Sequence, residues 1–293
     1  MKKNLLILSL AGMATVLSAE SKSFDGYSYG GVGFESISYQ EDAHSATLGS
    51  LKSKATGSSP VYTTGSLVKV NDRYDFSLDF SSTILPSVLD ETWTRNGAAM
   101  QKNNLNVTIN SMRLLAQYKL TNQHRFVAGP SYSLNSFKRY NFKDTNPNDT
   151  YLDNGALRSL ETSKDDGILA EELVATLYAT AGYWYESAPV ATPNTFRMKA
   201  TALYSQPIWN NASNTGFEGV NFSSLNGYNI ELNGYIGYPV IKGLEIGIFA
   251  SYINKRKIGD DRTQDLTGRN VLWPDNSLQI MQAGLSAVWH FRD

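Results

Sequence analysis

Polar and apolar side chains alternate along several short segments of this chain, and this alternation constrains the fold more than any other feature. In residues 73 to 81, apolar side chains occupy every second position from Tyr74 to Phe80, and Arg, Asp or Ser lie between them. Successive side chains of a β-strand point to opposite faces, so a period of two predicts a strand with one apolar and one polar face. The pattern recurs near residues 196–205, 228–236 and 244–252.

Counting every such segment gives ten predicted strands, an even number, as a closed antiparallel barrel requires. They cover about residues 27–42, 61–70, 73–83, 105–120, 125–137, 170–186, 195–209, 226–238, 244–256 and 277–291. Long and short connections alternate between them. The long ones are residues 43–60, 84–104, 138–169, 210–225 and 257–276. Short periplasmic turns and long extracellular loops are typical of outer-membrane barrels. We therefore predict an all-β, transmembrane, antiparallel up-and-down β-barrel of about ten strands, with eight or twelve left open.

The first residues have the pattern of a secretory leader. Two lysines precede an apolar run over residues 5–17, and the small residues Ser18 and Ala19 follow it. We expect residues 1–19 to be removed as a signal peptide and residues 20–293 to form a single barrel domain. A leader followed by a barrel predicts the outer membrane of a Gram-negative bacterium.

The composition excludes several classes of protein. No cysteine occurs, so the chain has neither a disulfide, nor a thiolate metal site, nor a cysteine for lipidation. Without the two leader lysines, 24 basic residues stand against 27 acidic ones, a net charge of −3 (24 − 27) that does not attract nucleic acid. The longest apolar, uncharged stretch after the leader, residues 173–185, is shorter than the roughly 20 residues that a membrane helix needs. We expect no cofactor.

The last predicted strand carries a motif. Apolar residues alternate from Ala283 to Trp289 and lead to a closing aromatic, Phe291. This strand resembles the carboxy-terminal assembly strand of bacterial outer-membrane β-barrel proteins, although Arg292 and Asp293 follow where that class usually ends on the aromatic itself. The resemblance implies the barrel-assembly machinery as a partner, and outer-membrane lipid and lipopolysaccharide as surroundings. We also expect a monomer and an extracellular ligand that the sequence does not name.

Aromatic residues concentrate near the ends of predicted strands, which is typical of the girdles at the two membrane interfaces. The predicted girdle residues are Tyr183, Trp184, Tyr185, Trp209, Tyr238, Trp289 and Phe291. The alternative is that aromatic residues simply favour strands. In the fourth segment the alternation changes phase near Ser111, which predicts a β-bulge.

The polar face of the predicted strands places charged side chains in the lumen. These residues are Glu35, Lys69, Arg73, Asp75, Asp79, Arg113, Arg197, Lys199, Glu231 and Glu245. Barrels of about eight strands are filled by their own side chains, and aqueous channels become roomy near 16 strands. Ten strands therefore predict a narrow, charge-paired interior that is mostly occluded. A selective path for small solutes is the second interpretation.

Residues suited to catalysis are few. The three histidines, His44, His124 and His290, are predicted at different ends of the barrel, which argues against a metal site. The element from Asp42 to His44 is similar to the Asp-x-His element of omptin proteases, which are ten-stranded outer-membrane barrels. Those proteases also use an Asp-x-Asp element, which this chain lacks. We therefore predict a surface binding or structural barrel first, a porin-like channel second and an omptin-like hydrolase last.

Overall fold

The fold is known from a computed structural model, whose described residues form sixteen β-strands. The structure describes residues 26–45, 49–144, 150–153, 156–159, 170–215, 219–266, 268 and 270–291, so the predicted leader lies outside the described part. No helix within these ranges has the length and hydropathy that a membrane-spanning helix needs. The strands are β1 Gly26–Ser45, β2 Gly49–Lys69, β3 Tyr74–Thr83, β4 Ser87–Arg95, β5 Ala98–Lys119, β6 His124–Asp144, β7 Thr150–Asp153, β8 Ala156–Ser159, β9 Ala170–Glu186, β10 Arg197–Asn214, β11 Asn221–Phe222, β12 Gly227–Ile241, β13 Leu244–Lys257, β14 Asp261–Gln264, β15 Asn270–Trp273 and β16 Asp275–Phe291.

Ten strands close a ring in which every neighbour is antiparallel. Its order is β1, β16, β13, β12, β10, β9, β6, β5, β3 and β2, and β2 pairs with β1 again. β4 continues the position of β3, because it also pairs with β2 and β5. Two hairpins, β7–β8 and β14–β15, lie outside this ring. The predicted up-and-down antiparallel barrel of about ten strands is confirmed.

Short turns join the strands at one end of the barrel, which we call the turn end; the other end is the outward end. In the turn between β2 and β3, Asn71 Oδ1 accepts the backbone N–H groups of Arg73 and Tyr74 at 2.8 and 2.9 Å. Thr121 Oγ1 does the same for the turn before β6. Side-chain acceptors of this kind satisfy the backbone of a tight turn.

The strands continue far beyond the predicted ones at the outward end. The predicted loops 43–60 and 84–104 are mostly paired strand, so those predictions were wrong. β4 and β5 join at Asn96 and Gly97, whose positive φ angles of 48° and 87° are those of a tight hairpin turn. The 22 residues of β5 reach roughly 70 Å at about 3.3 Å per residue, although about 9–11 residues suffice to cross a membrane.

Apolar side chains lie on the outer face of the wall near the turn end and on the inner face near the outward end. In β5, Met112 and Leu114 are exposed on the outer face, whereas Leu105, Val107 and Ile109 are buried in the interior. From Lys102 to Lys119, even-numbered residues of β5 point outward and odd-numbered residues inward. The turn-side half of the barrel therefore has an exposed outer surface of apolar side chains, which we call the apolar belt. The outward half has an apolar interior, as a protein in water does.

The prediction of a β-bulge near Ser111 was wrong. The move of the apolar side chains from the outer to the inner face explains why the alternation changes phase there. The register of β5 with β3 and with β6 is continuous through that residue, and the β5–β6 shift lies at Lys102 and Asn104. The sequence changes phase because the apolar residues move from the outer to the inner face, while the backbone continues its regular pleat.

Candidate functional site

A buried ion-pair network around Arg197 fills the interior at the turn end. Arg197 Nη1 lies 2.8 Å from Glu186 Oε1, and Arg197 Nε donates to the two carboxylate oxygens of Glu245 at 3.0 and 3.1 Å. Arg125 Nη1 approaches the other oxygen of Glu186 at 3.1 Å. Both Arg197 and Glu245 are buried. Because removing one partner would leave an uncompensated buried charge, these contacts hold four strands in one arrangement.

Aromatic rings lie against the cations of this network. The guanidinium carbon of Arg197 is 5.2 Å from the ring centre of Tyr27 and 4.9 Å from that of Tyr235. Lys199 Nζ is 4.0 Å from the ring centre of Trp184. Cation–π contacts of this kind gain strength when water is excluded. The turn end of the interior is therefore packed with both charge pairs and rings.

The position of Trp184 corrects the predicted girdle. Trp184 is 2% exposed and faces the interior, because it alternates with Tyr183 and Tyr185, which face outward. Among the other predicted girdle residues, the exposed outer wall carries Tyr183, Trp209, Tyr238 and Trp289. The side chain of Phe291 lies outside the described part of the chain.

A polar layer occupies the middle of the interior. Arg113 forms an ion pair with Glu231, and Tyr29 Oη donates to Asp79 Oδ1 at 2.6 Å. Glu35 accepts hydrogen bonds from side chains of β3 and β16 at 2.7 and 3.0 Å. Of these groups, Tyr29, Asp79, Arg113 and Glu231 line a cavity of about 100 Å³. Such a volume holds a few water molecules and is far smaller than a porin lumen.

Most of the charges predicted for the lumen lie on the inner face of the wall. These are Glu35, Lys69, Asp75, Asp79, Arg113, Arg197, Lys199, Glu231 and Glu245. The prediction for Arg73 was wrong, because its side chain is exposed in the turn between β2 and β3. The backbone there is held by Asn71 and no longer alternates as a strand does.

A second buried ion-pair cluster lies at the outward end, and the sequence analysis missed it. Arg139 Nη2 lies 2.8 Å from Glu41 Oε1, and Arg139 Nε lies 2.9 Å from Glu91 Oε2. The guanidinium also lies over the rings of Trp93 and Tyr39. Burial alone would raise the pKa of Glu91, but the charge and hydrogen bonds of Arg139 hold it below its usual value. The sequence of β4 has no clear period of two, because Val88 and Leu89 are both apolar and Asp90 and Glu91 are both charged, so sequence analysis assigns this segment to a loop.

The outward mouth of the barrel is covered by an aromatic plug that includes Phe222 and Trp273. Both residues are buried, and their ring centres are 5.8 Å apart. Trp273 Nε1 donates to Glu172 Oε1 at 3.1 Å, and Lys257 Nζ donates to the backbone oxygen of Trp273 at 3.0 Å. The plug therefore ties the segments around β11 and β15 to the wall strands β9 and β13.

Glu172 is the ionisable group of this plug. Burial, and then the neighbouring charge of Glu41, raise the pKa of Glu172 to about 7. Arg139 and the hydrogen bond from Trp273 act in the opposite direction. On the outer wall at this level, Lys138 and Glu171 form an ion pair at 3.1 Å, so the level lies beyond the apolar belt.

The Asp-x-His element lies on the outer face of the wall. Asp42 Oδ1 forms an ion pair with Lys52 Nζ at 2.8 Å, and Gln40 Nε2 donates to Asp42 Oδ2 at 2.7 Å. His44 is exposed, and its backbone oxygen accepts a hydrogen bond from Arg262 at 2.7 Å. The two side chains therefore do not line a groove inside the mouth, and the carboxylate is already bound by a lysine.

The other histidines lie elsewhere in the barrel. His124 begins β6 at the turn end and contacts the rings of Tyr183 and Tyr185. His290 lies near the end of β16. Among the residues that the structure describes, no group of three or more His, Asp or Glu side chains could hold a metal ion.

Comparisons with known proteins identify the fold. The chain matches the outer membrane protease OmpT from Escherichia coli with a TM-score of 0.66 and 11% identity, over 93% of this chain and 99% of that chain. The translocator domain of the autotransporter NalP from Neisseria meningitidis matches with a TM-score of 0.35 and 10% identity, over 99% and 95% of the two chains. No family model and no curated protein sequence matches the chain. The fold is that of bacterial outer-membrane β-barrels, and the likeness to omptin barrels is confirmed for the fold alone.

Proposed function

We propose that this chain is a non-conducting barrel of the bacterial outer membrane, which acts as a surface binding or structural protein through its outward end. The single observation that carries this proposal is the packing of the interior. An apolar cluster with Arg197 at the turn end, the polar middle layer and the apolar plug at the mouth follow one another along the barrel. The cavities between them have volumes of about 100 and 60 Å³.

The outward half supports a role at the cell surface. Its interior packs like that of a protein in water, with Ile37, Leu105 and Ile280 almost completely buried. A wall stiffened in this way presents its hairpins at fixed positions well beyond the apolar belt. Binding residues are commonly carried on loops that a rigid scaffold positions.

Single-channel recording in planar bilayers tests the proposal. We expect the purified chain to give no steady openings, because each layer of the interior excludes a continuous water path. A Phe222→Ala, Trp273→Ala variant tests whether the plug contributes to the seal, and we expect it to remain closed because the Arg197 network is intact. Steady openings of the unmodified chain would overturn the proposal and favour the porin-like channel.

An omptin-like hydrolase is not favoured, even though the fold resembles that of OmpT. Asp42 and His44 point away from the barrel interior, and Lys52 binds the carboxylate. We therefore expect no hydrolysis of peptides or lipids. Activity that is lost in His44→Ala would contradict this expectation.

A further inference from the structure

The wall of the barrel is interrupted between β10 and β12 at the outward end. Backbone pairing runs up to Ser205 and Asn229, and it resumes at Ala212 and Phe222, where β11 replaces β12. Six residues of β10, 206–211, and the same number on the facing chain lie outside this ladder. An unpaired stretch inside a closed barrel is unusual, because closure normally pairs every strand edge.

The residues of β10 explain why the ladder breaks here. Pro207 has no backbone N–H to donate, and the register of β10 with β9 shifts between Pro207 and Trp209. Side chains bridge the gap instead of backbone. Gln206 Nε2 donates to the backbone oxygen of Leu225 at 3.1 Å, and Asn210 Oδ1 accepts the N–H of Ser224 at 3.4 Å.

A cavity of about 60 Å³ lies directly behind this gap. Pro207 and Asn226 line it at the wall, and Asn135, Glu172 and Lys255 line it from inside. Its volume suits a few water molecules or a very small polar molecule. The cavity is therefore placed between the outer surface and the buried charges of the barrel.

Two polar groups at the cavity lack hydrogen-bond partners. Lys255 Nζ and Asn135 Oδ1 are buried and have no partner among the described residues, and the two residues are 8% and 6% exposed. The described hydrogen bond to the Glu172 carboxylate comes from Trp273. Buried polar groups are almost always satisfied, so an ammonium and an amide oxygen left open point to a bound molecule that supplies a complementary acceptor and donor.

The charge balance restricts which molecule that can be. Among the charged side chains that line this cavity, Arg256 and Lys257 already form ion pairs with Asp275 and Asp261 at 3.5 and 2.8 Å, whereas Lys255 and Glu172 have no ion pair within the described part of the chain. A ligand with a net charge would add an uncompensated charge to a buried site, which is costly. A ligand with one positive and one negative group would not.

We propose that this cavity binds a small zwitterion that carries one ammonium and one carboxylate group, such as a free amino acid with a short side chain. Lys255 supplies the cation for the carboxylate, and Glu172 with Asn135 Oδ1 supplies acceptors for the ammonium. This site is independent of whether the barrel conducts ions. If no zwitterion binds in this cavity, the proposed function of the barrel is unaffected.

Calorimetric titration of the full refolded chain in detergent tests the site, with glycine as the probe and acetate and methylamine as probes of each half. We expect glycine to bind, and acetate and methylamine to bind at least about tenfold more weakly, because each satisfies only one of the open groups. Lys255→Met should weaken glycine binding at least about tenfold. Lys199→Met is the control, because it removes a lysine from the cavity of about 100 Å³ in the polar middle layer. It should leave glycine binding unchanged.

Heat-modifiable mobility on a detergent gel checks that each variant forms the barrel. If Lys255→Met fails to fold, Asn135→Leu replaces it with the same expected loss of glycine binding. The proposal is overturned if glycine does not bind, if acetate alone binds as tightly as glycine, or if the folded variants bind glycine like the unmodified chain.

Discussion

Two glycines on the inner face show how single residues shape this interior. A Cβ added to Gly247 would lie 2.7 Å from the ring of Tyr235, and one added to Gly284 would lie 2.7 Å from the ring of Phe249. Each ring therefore packs directly against the backbone of the neighbouring, paired strand. This close approach keeps Tyr235 over the guanidinium of Arg197, which closes the turn end.

Gly247→Ala tests this packing. The added methyl group has no free space, so the backbone or the ring must move, and we expect the unfolding free energy to fall by about 1–3 kcal/mol. Denaturant titration followed by tryptophan fluorescence measures the change. Gly234→Ala is the matched control, because a Cβ there points to open space with one atom at 4.0 Å. Equal losses in both variants would contradict the packing argument.

At the scale of the strand, the outer face of β5 meets two environments along one continuous backbone, lipid at the turn end and water at the outward end. Its outer face is apolar from Met112 towards the turn end and polar at Thr108 and beyond. The inner face changes in the opposite sense. The boundary between the two halves therefore marks the outer edge of the lipid contact.

A lysine placed on either side of this boundary tests its position. We expect Leu114→Lys to cost about 2–4 kcal/mol in lipid vesicles, as charged residues do on the lipid face of a barrel. Thr108→Lys, on the same face of the same strand, should change stability by no more than about 0.5 kcal/mol. The folding free energy of each variant in vesicles provides the measurement. A similar cost at both positions would move the boundary and contradict the assignment.

The plug at the mouth is an element whose stability depends on pH through Glu172. Its pKa of about 7 is above the ordinary value of 4.5, chiefly because of burial, so the folded state favours the protonated carboxyl. The stabilisation is complete below about pH 4.5 and is lost as the pH rises through 7.

Glu172→Gln removes this titration and keeps the hydrogen bond from Trp273. We expect the unmodified chain to lose stability between pH 4.5 and 7 relative to the variant, and the amides of β14 and β15 to exchange faster above pH 7. Hydrogen exchange at pH 5, 6, 7 and 8, corrected for intrinsic rates, measures the opening. Identical pH profiles of the two proteins would disprove the role of Glu172.

At the scale of the whole molecule, the sequence predicts the ring of ten strands because most strands alternate where they cross the apolar belt. It also predicted most lumen charges, since the inner face there is polar. It does not predict Glu91 or Arg139 as interior charges, because both lie in segments predicted as loops, 84–104 and 138–169, where no clear period of two marks a strand. The gap at Pro207 depends on how β10 pairs with β11 and β12, and alternation along a single strand does not encode that pairing.

The central claim is that lipid covers the outer face of the turn-side half and that side chains fill the interior. Thiol accessibility along β5 tests it most directly, since the chain has no cysteine and each variant carries one thiol. Single cysteines are placed at positions 102 to 118 and exposed, in lipid vesicles, to a water-soluble maleimide. We predict that even positions from 102 to 110 react, that even positions from 112 to 118 are protected by lipid, and that odd positions are protected by interior packing. Rapid reaction at the odd positions would reveal a water-filled lumen and contradict the account.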